Sequence, residues 1–337
     1  MISVVVPIYN EEEIVVQFHS ALSASLKNVD ENWEIVYVND GSTDSSLELL
    51  KGLQAIDPHV VVVELSRNWG HMGAISAGLK TASGRAVILM DGDFQDPPAV
   101  LPQLIEAWRN GAEIVVGVRK SREERRKILA LLFPLFYRVL GALSDYPIPL
   151  NAGIFSLMDR KAVDSILAMR EKNRYLPGMR AWVGFGNAVV YYDRHDRAGG
   201  DGKLSFISRI KYAMDAITGF SYKPLRLSLG LSACSVSAAV VLGLISLFIP
   251  NHIDAAALAI GGAVFLASSF VLLAIGVVGE YIGRIYDEVR DRPLSLISQV
   301  HRPQSLHAAR PAMASLQNGS FAIPAEVSAA ETVTKAA

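Results

Sequence analysis

The sequence predicts an α/β domain built on a mostly parallel sheet and joined to two membrane-spanning helices. From residue 2 to residue 118, short β-rich runs alternate with helical stretches, the pattern of parallel strands linked by crossover helices. Each β-rich run is nearly all apolar, as it must be when helices cover both faces of a sheet. Further along, residues 227–249 and 255–279 contain no Asp, Glu, Lys or Arg. At about 1.5 Å per helical residue, each run can cross a hydrocarbon core of about 30 Å.

The strand candidates in order are residues 2–7, 34–39, 60–65, 85–91 and 113–118. The first of them occupies the place where a leader would carry a basic stretch and an apolar segment, so the N-terminal domain is expected to stay in the cytoplasm. In open sheets of this class, ligands bind beyond the carboxyl ends of the strands. Three polar clusters fall there: Tyr9-Asn10-Glu11, Asp40-Gly41-Ser42 and Asp91-Gly92-Asp93. Residues 122–145 mix cations with a dense apolar set around Pro134, and Ile207, Ile210, Met214 and Ile217 recur at helical spacing within 204–220. Both stretches suit helices lying flat on a bilayer, and both equally suit amphipathic helices packed on the sheet.

Arg209, Lys211, Lys223 and Arg226 precede the first uncharged run and Arg284, Arg290 and Arg292 follow the second, whereas residues 250–254 hold neither Lys nor Arg. Cations collect at cytoplasmic ends, so an integral membrane protein with both termini in the cytoplasm is expected. Beyond Arg302 the chain is rich in Ala, Ser and Pro without periodicity and reads as a disordered tail. The expected division is 1–200 for the α/β domain, 201–226 for an amphipathic interfacial helix and linker, and 227–283 for a two-helix anchor. A cytoplasmic juxtamembrane segment at 284–300 and the tail at 301–337 complete it.

Composition agrees with contact with lipid, since 51% of the 337 residues are hydrophobic, more than is usual in a soluble domain. A formal net charge of −1 argues against a polyanion binder, so nucleic acid is not an expected partner and any phosphate must be met by local groups of Arg and Lys. The single cysteine, Cys234, lies in an apolar run, which excludes an internal disulfide and a cysteine-based zinc site.

The clearest chemical signal is Asp91-Gly92-Asp93 directly after an apolar strand. Two carboxylates on a strand-end turn can hold a hard divalent cation, Mg²⁺ or Mn²⁺, against a diphosphate, and such a cation offsets charge developing on a leaving group. Aspartates in turns also serve purely local hydrogen bonding, so the neighbouring clusters matter. Tyr9 could pack on a base, and Asp40 or Glu11 could accept from base N–H or ribose hydroxyl groups. The same residues could simply form turns, and Ser42 or Asp44 could cap the following helix.

Five segments taken together, VVVPIYNEEE, VYVNDGSTDSS, LSRNWGHMGAISAGL, ILMDGDFQDPP and GEYIGRIYDEVRDRPL, resemble the polyprenyl-phosphate glycosyltransferases. These are a branch of the inverting GT-A glycosyltransferases of family 2 that includes dolichol-phosphate mannose synthases and undecaprenyl-phosphate glucosyltransferase-like proteins. The resemblance runs from about residue 2 to residue 297. It implies a GT-A (Rossmann-like) fold with interfacial helices, and an enzyme that moves a hexose from a nucleotide-sugar to a polyprenyl phosphate with inversion, at the cytoplasmic face of a bilayer. UDP-glucose is the favoured donor, and undecaprenyl or dolichyl phosphate the acceptor.

Residue by residue, the resemblance implies nucleotide-sugar contacts from Pro7, Tyr9, Glu11, Asp40, Asp91 and Gln95, and Mg²⁺ or Mn²⁺ held by Asp91, Asp93 and Gln95. Arg119 of the family's G-x-R segment, Arg138, Arg197 and Lys203 would meet the acceptor phosphate. Asp91, Asp93, Arg119 and Arg197 would be the catalytic set, and a homo-oligomer is also implied. The chain departs from the family at Asn151-Ala152-Gly153-Ile154, where an aspartate pair is common, at Gly202 in place of Ser and at Asn39 in place of Asp. An expected carboxylate is therefore missing, yet an acceptor phosphate is already anionic at neutral pH and can attack without a base, leaving positioning and charge to lower the barrier.

Two other readings stay open. A processive polysaccharide synthase would share the nucleotide domain but needs a translocation channel and a Q-x-x-R-W motif, which Arg180-Ala181-Trp182 matches poorly. A catalytically silent membrane protein that binds nucleotide-sugar is the second, kept open by Asn151 and Ile154.

Overall fold

The computed structural model describes residues 1–120, 152–172, 174–193 and 252–303, and within the first uncharged run residues 234–238, 240–241 and 244–245. β1 (Ile2–Ile8), β2 (Trp33–Asn39), β3 (Val60–Leu65), β4 (Ala86–Leu89) and β5 (Ile114–Arg119) alternate with α1 (Val15–Lys27), α2 (Ser46–Ile56), α3 (His71–Thr81) and α4 (Leu101–Arg109). The candidate at 85–91 shortens to β4 because the polar turn carrying Asp91 leaves the sheet there. β6 (Ala152–Asp159), α5 (Arg160–Ala168), α6 (Leu176–Val183) and β7 (Asn187–Tyr192) follow, then a long helix α7 (His252–Val289) and a last strand β8 (Ile297–His301).

The eight strands form one sheet in the order β7-β5-β6-β4-β1-β2-β3-β8. β1 pairs in parallel with β2 and β4, β2 with β3, and β5 with β7. β6 runs antiparallel between β4 and β5, and β8 antiparallel along β3, so the sheet is mostly parallel and GT-A-like.

Val and Ile dominate β1 to β5 and are buried there on both faces. Ile2, Val4, Val6 and Ile8 of β1 pack with Phe18 and Leu22 of α1, Leu50 of α2 and Leu104 of α4, whereas Val5, Val36 and Val38 pack on the other face with Ile75 of α3, Val163 of α5 and Met179 of α6. This two-sided burial is the physical reason that the strand runs are continuously apolar rather than alternating.

The parallel pairings bring the carboxyl ends of β1, β2, β4, β5 and β7 to one edge of the sheet, and because β6 is antiparallel its first residues reach that edge too. Val118 faces Ala152 and Arg119 faces Tyr192 in register. The described chain leaves the sheet after Lys120, returns at Ala152 and leaves again after Asp193 at this same edge.

One described helix, Ala259–Val289 within α7, is long and apolar enough to cross a membrane, and none of its most apolar stretch is buried by protein. Of the two spans expected, one has a candidate helix among the described residues. The other run, 227–249, lies mostly outside the described residues; those that are described are helical, with Val236, Val240, Val241, Leu244 and Ile245 exposed.

The segment after α7 returns to the domain. Lys172 donates from its backbone N–H to Glu288 at 2.7 Å and from Nζ to Asp291 at 2.8 Å. Ser295 Oγ donates to the Gly73 carbonyl at 3.1 Å, and the Ser66 N–H donates to the Leu296 carbonyl at 2.9 Å. Ser66 and Gly73 lie beside the carboxyl end of β3, so the end of α7 docks at the edge that carries the polar clusters. β8 then runs down β3, a strand that the sequence reading of 284–300 did not contain.

Candidate active site

On one side of the edge, two strand-end loops hold each other. Asn10 adopts a left-handed backbone (φ 53°); its N–H donates to Ser42 Oγ at 3.1 Å, and its side-chain carbonyl accepts from the Thr43 N–H at 2.8 Å. Glu11 N–H donates to Ser46 Oγ at 2.9 Å, and Glu12 and Asp44 exchange bonds with the same pair of loops. Asp44 also accepts from the Ser46 N–H at the first turn of α2, so it does serve the helix start, where unpaired N–H groups need acceptors.

Asp40 follows directly in the buried interior of this edge. Its Oδ1 accepts from the Trp69 N–H at 2.7 Å. Burial raises its pKa, and the N–H groups of Trp69 and Gly70, with the charges of His71 and Arg67, offset only part of that rise. The Arg67 guanidinium lies 3.7 Å over the Trp69 ring, a cation–π contact beside Asp40.

The acidic turn after β4 stands next to it. Asp93 is 9% exposed and its Oδ1 accepts from the Gln95 N–H at 3.1 Å, which aims the turn back on itself around Phe94 (φ 61°). Asp91 Oδ1 lies 3.0 Å from His71 Nε2 at the first residue of α3. Burial would lower the His71 pKa, but its bond to Asp91 and the charges of Asp91, Asp40 and Asp93 outweigh that, and the net direction is up. His71 thus sits among three carboxylates contributed by two strand ends.

Beyond the turn stands Arg119, with its side chain 17% exposed. Burial lowers its pKa less than Asp96, Tyr192 and Asp91 raise it, so the charge is secure and already couples to the acidic turn. The edge therefore runs from a pair of interlocked loops beside buried Asp40, through an Asp-Gly-Asp turn, to a guanidinium.

The chain matches the model of Glycosyl transferase family 2 over residues 3–167. It is 39% identical over 300 residues to an uncharacterized glycosyltransferase, YkcC, of Bacillus subtilis, covering 88% of this chain and 93% of that one. It is 37% identical over 305 residues to the SfII prophage-derived bactoprenol glucosyl transferase of Shigella flexneri, covering 89% and 98%. A prophage bactoprenol glucosyl transferase homolog of Escherichia coli is 35% identical over 305 residues, covering 89% and 99%. The chain belongs to glycosyl transferase family 2. It is an enzyme, a glycosyltransferase similar to the polyprenyl-phosphate branch.

In this glycosyltransferase, Asp40, Asp91, Asp93, Gln95 and Arg119 share the edge. Pro7 lies within β1, opposite Val38, and Tyr9 and Glu11 lie just past it, with Tyr9 37% exposed. Arg138, Arg197 and Lys203, and the departures at Asn151 and Gly202, lie outside the described residues. Ile154 is a core residue, packed with Val116, Val118 and Met179. Arg180 is buried and donates to the carbonyls of Gly153 and Ile154 at 2.6 and 3.3 Å, which ties it to β6.

Sequence reasoning missed four residues of this edge: His71, Trp69, Asp96 and Tyr192. The first three lie inside segments that carried the family resemblance, so their position was available. Tyr192 had no local signal, because only the pairing of β7 with β5 brings it to Arg119.

Proposed function

We propose that this glycosyltransferase moves glucose from UDP-glucose to the phosphate of a polyprenyl lipid, with inversion, at the cytoplasmic face of a membrane. The observation that carries the reading is the order of charge along one edge: buried Asp40, then Asp91 and Asp93, then Arg119. The names of the bactoprenol glucosyl transferases support the choice of sugar and acceptor. The docking of the apolar helix at the same edge supports the choice of a lipid-borne substrate.

Asp40, Tyr9, Glu11 and Pro7 receive the base and ribose, with Asp40 as acceptor. Asp91, Asp93 and Gln95 face the diphosphate. Carboxylate oxygens suit Mg²⁺ or Mn²⁺. Asp91, Asp93 and Gln95 would hold such a cation against the diphosphate; among the described residues no group of three or more His, Cys, Asp and Glu side chains is placed to hold a metal ion by itself. When bound, the cation neutralises charge on the departing diphosphate. His71 holds Asp91 in place for that task.

Arg119, with Arg138, Arg197 and Lys203, holds the acceptor phosphate. One of its oxygens forms the bond to the anomeric carbon as the bond from that carbon to the UDP oxygen breaks, and the electron pair leaves with UDP. The nucleophile is an anion from the start, so the lack of a carboxylate at residues 151 and 154 removes no proton acceptor that the step needs. Preorganised positive charge on both sides of the transferred sugar lowers the barrier.

The test uses the full chain in nanodiscs with undecaprenyl phosphate, a panel of radiolabelled UDP-glucose, UDP-N-acetylglucosamine and GDP-mannose, and Mg²⁺ or Mn²⁺. Lipid-linked glucose from UDP-glucose alone, abolished by chelation and by Asp93→Ala, is the expected result. Polymer would point to a processive synthase, and donor binding without product to a silent binding protein.

A further inference from the structure

Three side chains from three separate elements meet behind the acidic turn. Asp96, from the loop after β4, is fully buried. Tyr192, the last residue of β7, donates its hydroxyl proton to Asp96 Oδ1. Arg119, the last residue of β5, donates from Nε to that same hydroxyl oxygen at 3.2 Å and brings one terminal nitrogen to 3.6 Å from Asp96 Oδ1. Its other terminal nitrogen has no partner among the described residues.

A carboxylate buried this deeply needs a paired charge, and Arg119, the residue that the proposed reaction uses on its acceptor, supplies one. Burial first, and then the Asp96 charge, push the Tyr192 pKa up, so its hydroxyl remains a donor throughout the physiological range. The ring is held by an edge-to-face contact with Phe155, with centroids 5.2 Å apart.

Gly117 makes room for this pair. A Cβ there would lie 2.5 Å from Phe155 Cδ1 and 3.1 Å from Tyr192 Cε1. The glycine of the Gly117-Val118-Arg119 segment therefore leaves space for the ring that orients the arginine two residues later.

We infer that Asp96 and Tyr192 are positioning residues for the acceptor: they engage one edge of the Arg119 fork so that the remaining edge is presented, pre-aimed, to a phosphate ester. The inference rests on the acceptor reading given under Proposed function. A guanidinium held in this way loses less freedom on forming its phosphate bonds than one on a mobile stem.

Tyr192→Phe removes both bonds and keeps the ring against Phe155, so the fold is retained. With undecaprenyl phosphate in nanodiscs, the acceptor KM is expected to rise about tenfold, equivalent to about 1.4 kcal/mol, while the UDP-glucose KM stays near wild type; the Tm falls by a few degrees, because buried Asp96 loses a hydrogen-bond donor. In an Arg119→Lys background the same change should add less than about twofold, because lysine has no Nε–H for Tyr192 to receive and coupled residues are not additive. Gly117→Ala, by displacing the ring, should reproduce the selective rise in acceptor KM.

An unchanged acceptor KM in an active Tyr192→Phe enzyme, an equal rise in donor KM, or full additivity with Arg119→Lys would each overturn the inference alone. A wild-type enzyme that forms no lipid-linked sugar would overturn the acceptor reading and the inference together.

Discussion

A methyl group at residue 41 would sit 2.4 Å from backbone atoms of both Arg67 and Asn68, and the backbone there has φ 64°. Neither neighbour is the end of a flexible side chain, so the clash cannot be relieved by a rotamer change. Gly41→Ala is expected to destabilise the domain by about 3 kcal/mol, from overpacking together with a left-handed alanine. It should also weaken donor binding, because the displaced loop carries the Trp69 N–H that holds Asp40. Thermal melts with and without UDP-glucose read both effects, and a melting point equal to wild type would show that the loop gives way easily. At this scale Asp40, Asp91 and Asp93 were legible because strand-end position and chemistry are both local properties. Asp96 and Tyr192 differ, since 96 residues separate the partners of their bond and neither residue alone announces it.

Within α1 and β2, His19 places Nδ1 3.2 Å from the Tyr37 hydroxyl and Nε2 3.4 Å from Asp57. Burial lowers its pKa more than Asp57 raises it, and Lys27 lowers it further, so the fold favours the neutral ring. An unfolded chain takes up this proton near pH 6.5, and the folded chain only at lower pH. As pH falls below about 6.5 the unfolded state binds the extra proton and stability drops, levelling once the folded pKa is passed. His19→Asn should flatten that part of the curve, seen as a shallower fall in Tm between about pH 7 and pH 5 than in wild type; identical slopes would exonerate His19.

At the element scale, β8 covers an edge of β3 that would otherwise expose unpaired N–H and C=O groups. Removing the chain after Arg292 should lower the Tm by about 10 °C, on the basis of roughly 3 kcal/mol at 2–4 °C per kcal/mol for a domain of this size, and promote aggregation; light scattering during the melt checks the second point. β1 to β5 were readable because both their faces are buried, which leaves a continuous apolar signature. β7 alternates exposed and half-buried residues and β8 is almost wholly exposed, so each depends on pairing with a distant strand, which composition does not encode.

The length of α7 bears on the membrane placement that the proposed function requires. Its 38 residues extend about 57 Å, nearly twice a hydrocarbon core of about 30 Å. Most of the surplus lies toward the C-terminus, where Glu280, Arg284, Asp287 and Glu288 interrupt the apolar sequence and Glu280 pairs with Arg284 at 2.7 Å. A span seated on residues 259–279 would leave 280–289, about 15 Å of helix, as a stalk leading to Lys172 and the cleft edge. The proposed reaction needs such a height, because a water-soluble donor must meet a phosphate fixed at the lipid surface. Cys234 is the only native cysteine, so Cys234→Ser provides a blank background for Leu272→Cys in the middle of the span and Asp287→Cys on the stalk. A membrane-impermeant maleimide should label residue 287 in inside-out vesicles and not in right-side-out ones, and residue 272 only after detergent. Labelling of residue 272 in sealed vesicles would mean that α7 is not a span, and the acceptor reading would lose the geometry that brings its lipid to the cleft.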